Sequence, residues 1–76
     1  MNNTRRKQIQ ALAEKIEELL SQAEILRDEE QECYDNMPEA FQSGEKGERA
    51  EAAIDSLESA ISSLEDARDS FNESTE

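Results

Sequence analysis

The chain has 76 residues and a formal net charge of −12, from twenty acidic and eight basic side chains. That bounds it to one small domain and sets it against direct contact with nucleic acid or anionic lipid. It has no histidine, no tryptophan and one cysteine, so imidazole chemistry, a zinc site built on a cysteine pair and an intramolecular disulfide are excluded. No apolar run approaches the roughly 18 residues of a membrane span, and the start "MNNTRRKQIQ" lacks the apolar segment of a secretory signal; the expected location is the cytoplasm.

The first element is a helix over about residues 4–36. Ile9, Leu12, Ile16, Leu19, Ala23, Leu26, Cys33 and Met37 recur at three- and four-residue spacing, interrupted by Glu30. Ala13, Leu20 and Tyr34 lie one position beyond that seam and widen it, giving this helix more apolar surface than one partner helix covers. They are therefore expected to stay exposed in a single chain and to form a self-association surface, with Leu20 near the contact. Cys33 falls on the seam and reads as a buried structural thiol, since Glu30, Glu32 and Asp35 around it disfavour a reactive thiolate. Ile25 lies off the stripe and reads as a single exposed apolar residue.

A bend follows over about residues 37–43. The segment "YDNMPEAFQSGEKGE" holds the only proline and both glycines. Pro38 disfavours helix at Met37 but tolerates a new turn starting at itself, and Ser43 is the candidate N-cap of the next helix.

The second helix is expected over about residues 44–72, with a short frayed C-terminus. Its centre, "IDSLESAISSLEDA", is one seven-residue phrase stated twice. With Ile54 at position a, the a stripe is Ile54, Ile61 and Arg68, and the d stripe is Leu57, Leu64 and Phe71. The g stripe is Ala53, Ala60 and Ala67, small enough to let a neighbouring helix approach closely. Glu51, Glu58 and Glu65 occupy e.

Two helices joined by so short a bend predict an all-α, antiparallel two-helix hairpin. Its open end should bring Arg5, Arg6 and Lys7 near Asp66, Asp69 and Glu73. A lone hairpin leaves much apolar surface wet, so a homodimer forming a four-helix bundle is the expected assembly.

Charge is unevenly spread: residues 1–27 carry five basic and four acidic side chains, whereas residues 28–76 carry three and sixteen. "RDEEQECYD" lacks the glycine and terminal glutamate spacing of an EF-hand, and its acids point in different directions on a helix; no metal ligands, cofactor-binding residues or catalytic residues are assigned. Solvent cover is the plain reading of the acids. The sharper reading is a polyanion-like surface for a basic protein partner. On a hairpin about 50 Å long the net charge amounts to one per roughly 4 Å, against one per roughly 1.7 Å of duplex DNA. The candidate contacts are Asp28, Glu29, Glu32, Asp35 and Glu39 around the bend, and Glu48, Asp55, Glu58 and Glu65 on the second helix. Tyr34 also reads as a packing residue with its hydroxyl at the surface.

With "DNMPEAFQSGEKGERAEAAIDSLESAISSLEDA" preceded by "TRRKQIQ", the chain resembles small acidic helical proteins of bacterial phages and mobile elements. In these a basic start precedes a helix, a bend and an alanine- and glutamate-rich repeat. The resemblance implies a setting in which such proteins bind and inhibit host nucleases or defence complexes. The small secreted hairpins with a W-x-G turn differ, since this bend reads "NMPEAF". The expectation is a non-enzymatic inhibitor of a basic, nucleic-acid-handling protein; the alternative is a structural adaptor whose apolar seam docks a partner helix.

Overall fold

Helix α1 spans Asn3–Asp35, a single turn α2 spans Glu39–Gln42, and α3 spans Glu45–Ser74, in a computed structural model that describes residues 1–76. There is no strand. The molecule is a rod of 58 × 14 × 13 Å. α1 begins where Asn2 accepts a hydrogen bond from the Arg5 amide through its side-chain oxygen, at 2.7 Å, satisfying one of the free N–H groups of the first turn. It ends at Asp35, three positions before Pro38, in keeping with the restriction that proline places on Met37. α3 persists to Ser74, two residues past the expected end.

The bend is more ordered than a plain turn. Pro38 leads into α2, and Ser43 closes it, its hydroxyl donating to the Glu39 carbonyl at 3.2 Å. Ser43 is therefore not the N-cap of α3; Gly44 is, and it supplies no side-chain cap. Two contacts fix the turn. The Gln42 side chain donates to the Tyr34 carbonyl at 2.9 Å, tying the bend to the end of α1. A Cβ built on Gly47 would lie 1.9 Å from the Gln42 carbonyl oxygen, so only glycine lets α2 settle on the first turn of α3.

α1 and α3 pack along their length in opposite directions. The Tyr34 hydroxyl donates to the Glu51 carboxylate, and Arg68 reaches Glu17 at 3.0 Å; as residue numbers rise along one helix they fall along the other. The α3 seam follows the heptad frame: Gly47, Ala50, Ile54 and Ile61 are buried, and Leu57, Leu64, Arg68 and Phe71 are half-buried. The register puts small residues level with large ones, Ala13 with Phe71, Ala23 with Ile61 and Ala50 with Tyr34, which holds the helices close.

The seam of α1 differs from expectation by one position. Ala13 and Leu20, expected to be exposed, are 6% and 4% exposed and form the core with Ala50, Ile54 and Ile61. Tyr34 is half-buried and committed to Glu51. Leu12, Leu19 and Leu26, assigned to the seam, are 44%, 50% and 56% exposed, and Cys33 is exposed rather than buried. The two candidate stripes share Ile9, Ile16, Ala23, Glu30 and Met37 and differ only in the alternate positions. The packing decides between them: Ala13 and Leu20 are buried with Ile54 and Ile61, and the Tyr34 hydroxyl reaches Glu51 across the seam. The expected meeting of Arg5, Arg6 and Lys7 with Asp66, Asp69 and Glu73 does not occur. The one ion pair between the helices is Arg68 with Glu17.

Candidate functional site

With Ala13, Leu20, Arg27 and Tyr34 at position a of α1, the two helices carry one common heptad frame. Because they run in opposite directions, their e stripes share one long edge of the rod and their g stripes share the other. The contacts follow that division. Gln31, Tyr34, Glu51, Asp55 and Glu58 line one shallow depression, and Gln10, Glu14, Glu17, Arg68 and Asn72 line another. Ile9, Ala67 and Phe71 line an apolar depression on the opposite side.

The edges differ sharply in charge. The e edge and the adjoining b positions carry Glu14, Glu17, Glu24, Asp28 and Asp35 from α1, and Glu48, Glu51, Asp55, Glu58, Glu65 and Asp69 from α3, against one base, Lys7. The g edge and its adjoining c positions carry one acid, Glu29, against Arg5, Lys15, Lys46 and Arg49. A heptad repeat produces this segregation directly, because a residue type repeated every seven positions stays on one side of a supercoiled pair.

All nine candidate acids are exposed, and six converge on the acidic edge: Asp28, Asp35, Glu48, Asp55, Glu58 and Glu65. Glu29 and Glu32 do not join them; they border Cys33 and Asn36 on another face. Glu39 sits on α2 at the tip of the rod. Glu14, Glu17 and Glu24 belong to the edge and were missed, because the α1 seam was placed one position away and its e stripe went unrecognised; Glu51 and Asp69 belong to it as well, Glu51 at an e position the repeat already showed.

Within this edge two groups are tuned by their neighbours. The Tyr34 phenol is raised above its ordinary range, first by the hydrogen bond it donates to Glu51, then by partial burial and by the charges of Glu51 and Asp35; deprotonation would break the bond and add a third negative charge. Arg68 is raised as well, by its hydrogen bonds to Asp69 and Glu17. These contacts staple the two helices but leave the other acids of the edge facing water. No group of three or more Asp, Glu or Cys side chains is arranged to hold a metal ion.

No protein-family model, curated protein or solved structure matches this chain. The geometry of the rod therefore carries the functional reading. No helix is long and apolar enough to cross a membrane. What the edge offers chemically is carboxylates of both helices along one side of the rod, interrupted by Lys7, Ser21, Gln31 and Ser62.

Proposed function

We propose that the chain is a non-enzymatic interaction module, an antiparallel helical hairpin that pairs with a second copy into a four-helix bundle. In this reading its acidic edge binds a basic, nucleic-acid-handling protein, as a phage-type inhibitor of a defence nuclease would. The observation that carries the reading is the segregation of carboxylates onto one edge while the opposite edge holds a single acid. The heptad repeat does the sorting, and what it builds is the one-sided charge that docking on a basic surface requires. The net charge over the 58 Å axis gives about one charge per 5 Å, and two copies side by side would give about one per 2.5 Å, approaching the roughly 1.7 Å of duplex DNA.

The test is inhibition of a panel of purified bacterial defence nucleases acting on duplex DNA. The wild-type chain slows at least one of them, the inhibition weakens as salt rises, and excess duplex relieves it, since screening and competition act on the same charges. The double variant Glu58→Lys/Glu65→Lys loses the effect while keeping its helicity. Unchanged inhibition by that variant refutes the mimicry.

A second reading is favoured by one observation, the exposed leucines on the other edge. In that reading the chain is an adaptor whose apolar face receives a partner helix, and the acids keep it soluble. Leu26→Asp bears on both: it abolishes partner binding by an adaptor, whereas in the inhibitor reading it weakens the pairing of copies but leaves every carboxylate of the acidic edge in place, so binding is reduced and not lost.

A further inference from the structure

We infer that the g edge of α1 is the self-association surface, and that it pairs antiparallel with the same edge of a second copy about a two-fold axis at Leu19. The inference rests on the dimeric half of the proposed function and is independent of the acidic edge. Leu12, Leu19 and Leu26 recur at seven-residue spacing, are about half exposed, and are continued by Arg5 at one end and Cys33 at the other. Across the seam the register sets Ala67 and Ala60 level with Leu19 and Leu26, so no bulky or acidic side chain of α3 shields the stripe. An apolar stripe of this period on a soluble rod is the seam of a second helix pair.

Charge selects the occupant and its direction. Arg5, Arg6 and Lys7 form no ion pair within the chain, and neither do Glu29, Glu30, Glu32 and Asp35. Both groups also oppose the dipole of their own helix. The first turn of α1 contains no acid and already holds Arg5 and Arg6 of the basic cluster, while the last turn contains no base. A basic N-terminal end and an acidic C-terminal end are each unfavourable for a helix alone. An antiparallel copy corrects both. With Leu19 opposite Leu19, Leu12 meets Leu26 and Arg5 meets Cys33, which brings the basic cluster beside Glu29 and Glu32 of the partner. A parallel pairing would set base against base and acid against acid. Two-fold pairing on this edge also leaves both acidic edges facing outward.

Cysteine cross-linking tests the arrangement. Residues 5 and 33 lie about 42 Å apart on one straight helix, far beyond the roughly 7 Å limit for a disulfide between Cα atoms, so bridges can form only between chains. Under mild oxidation at micromolar concentration, Leu19→Cys in a Cys33→Ser background should convert to a covalent dimer. Arg5→Cys with native Cys33 should do the same, whereas the wild-type chain and Arg5→Cys/Cys33→Ser should not. Efficient bridging of the wild-type chain through Cys33 would show a parallel pair and overturn the inference. Sedimentation equilibrium of the unmodified chain separates the two levels of failure. A mass of one chain would remove the dimer itself. A mass of two chains with no bridging at Leu19→Cys would remove this edge and axis while leaving the dimeric reading standing.

Discussion

Leu19 and Leu20 are adjacent, identical in chemistry and opposite in burial, at 50% and 4% exposed. Replacing each with alanine tests the helix phase with almost no confounding change in propensity. Leu20 sits in the centre of the core with Ala13, Ile54 and Ile61 as its buried companions; truncating a buried leucine costs about 2–5 kcal/mol, transfer and cavity together. A chain of this length is expected to hold about 4–11 kcal/mol in all, at roughly 0.05–0.15 kcal/mol per residue. Leu20→Ala should therefore remove a large part of the stability. Leu19 has half its side chain in water, so only about half of the roughly 1.5–3 kcal/mol of a full leucine burial is at stake, near 1 kcal/mol. Urea titrations followed by far-ultraviolet circular dichroism, at the lowest workable concentration, measure both. At higher concentration the cost of Leu19→Ala should grow as the dimer populates, while that of Leu20→Ala should hold steady. If Leu19→Ala proves as damaging as Leu20→Ala in the dilute chain, the packing of α1 on α3 described above is wrong.

Gly47→Ala should destabilise the chain by about 1–3 kcal/mol through overpacking against the Gln42 carbonyl, despite the roughly 1 kcal/mol alanine gains over glycine in a helix; thermal melts check this. Gly44→Ser, with room for its Cβ at 3.4 Å from the nearest atom, should instead stabilise slightly by supplying the missing cap. The neutral Tyr34 phenol is the form that binds Glu51, so its contribution is fully present below the ordinary tyrosine range near 10 and is lost as pH rises through the raised Tyr34 value. An alkaline stability titration should fall there, and Tyr34→Phe should remove that fall. Towards acid, protonating the crowded carboxylates relieves repulsion, so helicity should hold or rise from pH 7 to about 4. Clear loss of helix in that range would mean that the acids are held in specific native pairs.

The phase of the second helix was legible because its repeat is strict: Ile54, Ile61, Leu57 and Leu64 admit one seam, although Ala53 and Ala60 beside it are exposed and the ends of the helix differ from expectation. The first helix was legible as a helix and ambiguous in phase. Leu12, Leu19 and Leu26 are more apolar than Ala13 and Arg27, so hydrophobicity alone favours the wrong stripe. The seam is set by tertiary features with no local signature, among them the reach of Tyr34 to Glu51 and of Arg68 to Glu17. Arg27 hides its role further, since a charged residue half-buried on a seam looks like an interruption, yet it pairs with Asp28 at 3.1 Å. Ser43 was misread because the sequence gives no sign that α2 would claim it first. The acidic candidates on α3 followed from the same repeat and fell on one edge. Glu29 and Glu32 did not, since acidity within a run says nothing about direction until the phase is known.

The claim on which the functional reading turns is that the acidic edge, rather than the apolar one, meets the partner. Affinity capture from bacterial lysate with the wild-type chain, Glu58→Lys/Glu65→Lys and Leu26→Asp, each at low and high salt, tests it most directly. The wild-type chain should retain basic, nucleic-acid-handling proteins at low salt, and Leu26→Asp, which weakens the pairing of copies but keeps every carboxylate, should retain the same proteins in smaller amount. High salt and the double charge reversal should each release them. Capture that survives both charge reversal and high salt but disappears with Leu26→Asp would contradict it and assign the interaction to the leucine edge.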